Sequence, residues 1–139
     1  MQDNPLNSLP HAYPFRFLDK ILELSAERGV AIKNVTADEA FFQGHFKENP
    51  IMPGVLIIET MAQLAGLVMN YGNAGKRVAY LAQVKDVKFK QSVTAGDQLK
   101  AIAEINYTFL SLANFSVKAL VDDNIAAEGE LVMAIQGSS

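Results

Sequence analysis

Residues 41 to 63 read FFQGHFKENPIMPGVLIIETMAQ. A histidine, His45, is followed within eight residues by Pro53 and then by an almost wholly apolar run that carries one carboxylate, Glu59. With Pro53 at the first helical position and Gly72 just past the end, the residues between supply about five turns of Val, Leu, Ile, Met and Ala, a helix opened by proline and closed by glycine. It is apolar on nearly all sides, which predicts a buried helix. Strand patterns surround it. A polar tail and a short aromatic segment (Tyr13, Phe15, Phe17) lead into KILELSA and GVAIKNVT, which alternate apolar and polar residues around ERG and predict a first hairpin. After the helix come three or four long strand-like runs, RVAYLAQVKDVKF, DQLKAIAEINYTFL, NFSVKALVDD and IAAEGELVMAI, with turn signals at Ala95-Gly96-Asp97 and Asp122-Asp123-Asn124. One helix among many strands, without strand-helix alternation, predicts an α+β fold: an antiparallel sheet curled around a central helix.

The chain has 139 residues, net charge −3 and no cysteine. That length predicts a single domain over residues 1–139, with residues 1–8 as a flexible tail, burying about two thirds of its unfolded surface. The lack of cysteine excludes disulfides, a thiolate nucleophile and cysteine metal sites, and fits a cytoplasmic address. The acidic balance offers no general attraction to nucleic acid or anionic lipid, so an acidic partner must meet a local basic patch. The segment MQDNPLNSLPH has neither the basic nor the apolar region of a signal peptide. The longest apolar stretch, residues 54 to 69, is short for a membrane span and is interrupted by Glu59, Thr60 and Gln63. There is no internal repeat, low-complexity tract or linker.

A glutamate in an average amphipathic helix lies on its solvated face. Glu59 instead shares its stripe with Val55, Leu56, Ala62, Gln63 and Gly66 at three- and four-residue spacing. A carboxylate on such a face is costly to ionise, so its pKa is expected to rise, which suits a proton donor near neutral pH. Gln63, one turn on, is placed to hold it by a hydrogen bond. A lone loop histidine is more often a surface or packing residue. His45, however, follows Gly44, which permits a tight turn, and Phe41, Phe42 and Phe46 supply a dry wall around a group that accepts protons at cellular pH. Gly54 offers a backbone amide at the positive end of a helix with no side chain to block approach, a natural donor to a thioester or other carbonyl oxygen that gains charge.

Base, acid and oxyanion donor within 15 residues point to β-elimination of water: a proton leaves the carbon beside a carbonyl while a hydroxyl one carbon further is protonated. No serine lies in a nucleophile-elbow motif. His11 and His45 lack helical or finger spacing, so no metal site is expected.

The pattern GHFxxxPIMPGVLIIETMAQ, with LPHAYPF before it and VKFKQSVTAGDQL and VDDNIAAEGEL after it, resembles the FabZ-type (3R)-hydroxyacyl-acyl-carrier-protein dehydratases, over residues 9 to 135. The resemblance implies a hot-dog fold and a hydro-lyase. It assigns His45 as the base at C2, Glu59 as the acid toward the C3 hydroxyl, and the Gly54 amide as the thioester binder. It also implies homodimers with active sites shared between subunits, commonly assembled as trimers of dimers. The glutamate, where longer dehydratase-isomerase relatives have aspartate, implies dehydration without double-bond isomerisation. No cofactor is implied; the substrate rides on the phosphopantetheine of an acyl carrier protein.

By the same resemblance, Gln63 supports the acid, and Tyr80 falls near an aromatic that lines or gates the acyl tunnel in some relatives, a core strand tyrosine being the plain alternative. Met52 and Phe46 would line that tunnel, although apolar residues there suit any core. Arg16, Lys85, Lys88 and Lys90 are candidates for a carrier-protein patch, against the alternative of a solvated strand face. Three departures stand out. Lys47 and Glu48 replace a usual Pro-Gly after GHF, Ala12 replaces the arginine of LPHRYPF, and Thr94-Ala95 precedes Gly96-Asp97 where valine or threonine and proline are typical. They leave base, acid and amide in place, so the resemblance implies a role in fatty-acid synthesis or, as the departures would suit, in related secondary lipid or polyketide synthesis. Two other functions use the same pocket: a hot-dog acyl-thioesterase, and a non-catalytic carrier-binding partner subunit.

Overall fold

The expected first hairpin forms between β1 (Lys20–Leu24) and β2 (Arg28–Asn34). Ser25 organises its turn: its hydroxyl accepts the Glu27 and Arg28 amides at 3.2 and 3.1 Å, and its own amide donates to the Arg28 carbonyl at 2.8 Å. The computed structural model describes Leu6 and residues 16–39, 51–72 and 78–136. Helix α1 (Gly54–Met69) follows, then β3 (Val78–Phe89), β4 (Gln98–Phe109), β5 (Leu112–Val121) and β6 (Asn124–Gln136). All six strands join one antiparallel sheet in the order β1-β2-β4-β5-β6-β3. This is the hot-dog arrangement of one sheet packed around one helix. No helix among the described residues is long and apolar enough to cross a membrane.

The turns follow from backbone chemistry. Asp122 and Asp123 form the two-residue β5–β6 loop with φ of 51° and 65°, the turn geometry that matches strand twist and that short polar side chains tolerate. Gly96, at φ 97°, closes the turn before β4. The β4–β5 turn carries no such signal: it is built on Leu110-Ser111, with Leu110 at φ 56° and 90 % exposed.

Small residues on the inner face of the sheet let α1 lie close. Ala31, Ala101, Ala103, Ala113, Ala119 and Ala127 are buried beneath it beside Phe115, Leu131 and Met133. Gly29 of β2 takes this furthest, since a Cβ there would stand 2.8 Å from Leu64 and 2.9 Å from Val68. Ten of the 16 helical residues are buried, Ile57 and then Thr60 through Val68. The first turns are not, and Val55 is 72 % exposed. Burial on all sides therefore holds only for the rest of the helix. Pro53 is the N-cap, one position before the first helical residue where it was expected, and Asn70 the C-cap, with Gly72 at φ 82° beyond it. Leu6, the one described residue of the amino-terminal tail, belongs to the core cluster.

Candidate active site

The entry to α1 is clamped before the helix begins. Ile51 bridges to Thr94, and the Met52 amide donates to the Val93 carbonyl at 2.7 Å, so buried Met52 sits in the core beside the helix start. The Thr94–Asp97 turn holds the other side of this bridge. Asp97 Oδ2 accepts the Thr94 amide at 2.8 Å, and the Val35 amide donates to the Asp97 carbonyl at 2.9 Å, tying the helix entry to the end of β2.

Pro53 turns the chain into the helix without a capping side chain; its carbonyl accepts the Leu56 amide at 2.9 Å and the Ile57 amide at 3.3 Å. Within the helix nothing takes the Gly54 and Val55 N–H groups, which point along the positive end of the dipole. One ring stands beside Gly54. A Cβ on that residue would lie 2.9, 3.0 and 3.3 Å from Cζ, Cε1 and Cε2 of Phe89, at the end of β3. A side chain here would press on this aromatic neighbour and displace the ring, and its absence also suits ligand approach. Nothing in the spacing of the sequence marks Phe89 as part of the site.

Glu59 is half-buried, at the boundary between the exposed first turns and the buried remainder of α1. Below it, Gln63 is 2 % exposed, and its Oε1 accepts the Phe17 amide at 2.9 Å. A backbone N–H can pair only with the oxygen end, so this bond fixes the amide's orientation and leaves Nε2 as the end with hydrogens to donate. Gln63 therefore joins the helix to the segment before β1, a contact across 46 residues that helical spacing does not reveal.

His45 and Phe46 lie outside the described residues, as do Phe41, Phe42, Gly44, Lys47, Glu48, His11 and Ala12. Tyr80 is 47 % exposed and pairs with Ala134, while its neighbour Ala79 faces the helix near Gly66. By strand alternation Tyr80 projects away from the helix. Lys85 and Lys88 stand opposite Glu130 and Glu128, and Lys90 Nζ lies 2.6 Å from Glu128 Oε2. Lys118 of β5, which sequence reading missed, also stands opposite Glu128. That carboxyl is held below the usual carboxylate range by its hydrogen bond from Lys90 and by the charges of Lys118 and Lys88. Arg16 is not part of this group. It precedes β1, at the other edge of the sheet, and lines a surface pocket with Asp19, Lys33, Thr36, Asp38 and Glu39, its buried Nε without a hydrogen bond. No group of three or more His, Cys, Asp or Glu side chains among the described residues is arranged to hold a metal.

The chain that folds in this way matches one family. A family model described as FabA-like domain matches residues 9–130. Relatives named "3-hydroxyacyl-[acyl-carrier-protein] dehydratase FabZ" are 48 % identical in Ruminiclostridium cellulolyticum (91 % of this chain, 91 % of the relative) and 42 % identical in Protochlamydia amoebophila (94 % and 92 %). The chain belongs to the FabA-like family. Among solved structures, a chain of the dehydratase heterocomplex ApeI:P from Xenorhabdus doucetiae superposes with a TM-score of 0.83 at 16 % identity, covering 99 % of this chain and 94 % of that one. A hypothetical thioesterase with coenzyme A from Streptococcus pneumoniae gives 0.66 at 12 %, covering 86 % of each. Both have the same fold.

Proposed function

We propose that the protein dehydrates (3R)-3-hydroxyacyl thioesters carried on an acyl carrier protein to the trans-2-enoyl thioesters. The observation that carries this reading is identity of 42 to 48 % with relatives named as such dehydratases, over about nine tenths of both chains. In this reading the whole chain is one dehydratase domain. The Gly54 amide donates to the thioester oxygen, so that negative charge built up on enolisation meets a fixed donor at the helix start. His45 takes the C2 proton, and Glu59 delivers one to the C3 hydroxyl as it leaves as water. Gln63 holds the acid, its Nε2 turned from the Phe17 contact. Two proton transfers and a fixed amide complete the chemistry, so no cofactor enters.

The working unit is a homodimer whose sites take His45 and Glu59 from different subunits. Supporting this, Val55 is exposed and Glu59 only half covered in one subunit, while β3 is an edge of the described sheet bearing exposed Val78, Tyr80 and Val84. An apolar edge of that length invites a second strand. The carrier protein docks through its acidic surface on Lys85, Lys88, Lys90 and Lys118, four lysines against Glu128 and Glu130. The test is mass spectrometry of a (3R)-hydroxyacyl thioester incubated with the protein. Loss of one water with the thioester intact is expected; free acid with released thiol, or unchanged substrate across several chain lengths, would overturn the reading.

A further inference from the structure

Counted straight through from Ala79, alternation would put Phe89 on the helix side, and β3 arrives there through two bulges that offset each other. Ala79 faces α1, and Leu81 stands opposite buried Met133. A register shift between Leu81 and Gln83 brings Val84 opposite buried Leu131, again on the inner face. Continued alternation from Val84 would then send Asp86 and Lys88 inward and Phe89 outward. The strand does the reverse, because a second shift between Lys85 and Lys88 inserts one extra residue against β6. Val87 packs against the core, Lys88 stands opposite Glu128 on the outer face, and Phe89 stands opposite fully buried Ala127.

Two residues make that bulge possible. Asp86 takes φ 51°, a conformation that aspartate tolerates and a β-branched residue does not. Across from it Gly129 has no side chain, and a Cβ there would stand 2.7 Å from the Val87 Cα, so only glycine lets the bulged strand lean in. The product of the bulge is the Phe89 ring against Gly54, with the ring 49 % exposed and open to a ligand.

We propose that Asp86 and Gly129 are positioning residues: they build the bulge that holds the Phe89 ring over the Gly54 amide, and the ring seats the thioester carbonyl on that amide. This rests on the reading of Gly54 as the thioester donor. The ring screens the amide from water, which strengthens its hydrogen bond to a carbonyl oxygen. It also forms a wall that fixes the angle of approach, and small displacements of such a wall are costly in rate.

The test compares Phe89→Leu, Gly129→Ala, Asp86→Val and Asp86→Gly. Two readouts are used: steady-state dehydration of a 3-hydroxyacyl pantetheine thioester, and calorimetric binding of the saturated acyl pantetheine thioester, which cannot react. Gly129→Ala and Asp86→Val should each lower kcat by about tenfold to a hundredfold and weaken binding, as Phe89→Leu does. Neither should add to the loss once Phe89 is leucine, and Asp86→Gly, which keeps the backbone angle, should stay near wild type. Full additivity with Phe89→Leu, equal loss in Asp86→Gly and Asp86→Val, or binding indifferent to all four would overturn the proposal. Should Gly129→Ala not fold, the two Asp86 variants decide alone. A wild type that binds the saturated thioester in a Phe89-dependent way but releases no water would sink the dehydratase reading and leave the bulge standing.

Discussion

The two parts of α1 face different demands. From Thr60 to Val68 every residue is buried against the small inner residues of the sheet. From Gly54 to Glu59 the same helix leaves Val55 exposed, Glu59 half covered and its first amides without a capping side chain. The inner part is held by close packing, where one methylene matters. The outer part keeps polar groups and open surface that a folded monomer does not need. Close packing and the proposed chemistry are therefore divided along one element, in adjoining turns.

That division predicts opposite outcomes for substitutions on neighbouring turns. Glu59→Gln should lower dehydration by about 10²- to 10⁴-fold, since an amide cannot deliver the proton. Its thermal midpoint should stay near that of the wild type. Leu64→Ala, five residues on, should cost about 2–5 kcal/mol in urea unfolding, because the cavity lies under Gly29 where nothing can refill it. Active Glu59→Gln protein, or a Leu64→Ala chain of unchanged stability, would break the comparison. Gln63 sits on the boundary and should show both effects at smaller size. Gln63→Ala strands the buried Phe17 amide at a cost of about 1–3 kcal/mol and should also reduce kcat. Loss of stability without any change in kcat would confine Gln63 to the inner part. The smallest effect is expected on the outer face of the sheet. Lys88→Glu together with Lys118→Glu should raise KM for a carrier-borne substrate several-fold at low salt and leave a pantetheine thioester unaffected. An equal change for both substrates would remove the carrier from that face.

Much of the fold was legible because it is written in local periods. The apolar run after Pro53, the KILELSA and GVAIKNVT alternation, and the Asp122-Asp123 and Gly96 turns each announced their element. The β4–β5 turn did not, since Leu110-Ser111 carries neither glycine, proline nor asparagine, and strand pairing alone imposes φ 56° on a leucine. Of the candidate residues, Glu59, Gly54 and Gln63 were marked by their position on the helix and Met52 by resemblance, and all four lie at the helix entry or along it. The lysines were only partly legible. Lys85 and Lys88 are three apart, a spacing that strict alternation places on opposite faces, and the bulge brings them to the same one. Lys118 belongs with them only because β5 is the next strand but one.

By itself the sequence determined the kind and order of the elements, the face each buries, and the one carboxylate set within the central helix, because composition and periodicity act over a few neighbouring residues. Only the tertiary structure decided that Phe89 packs against Gly54 by way of two offsetting bulges, that Gln63 holds Phe17, and that Arg16 lies at the far edge of the sheet from the lysines. A bulge is a property of two paired strands, here Asp86 on one and Gly129 on the other, and a contact spanning 46 residues is chosen by packing. Neither leaves a repeat in the chain.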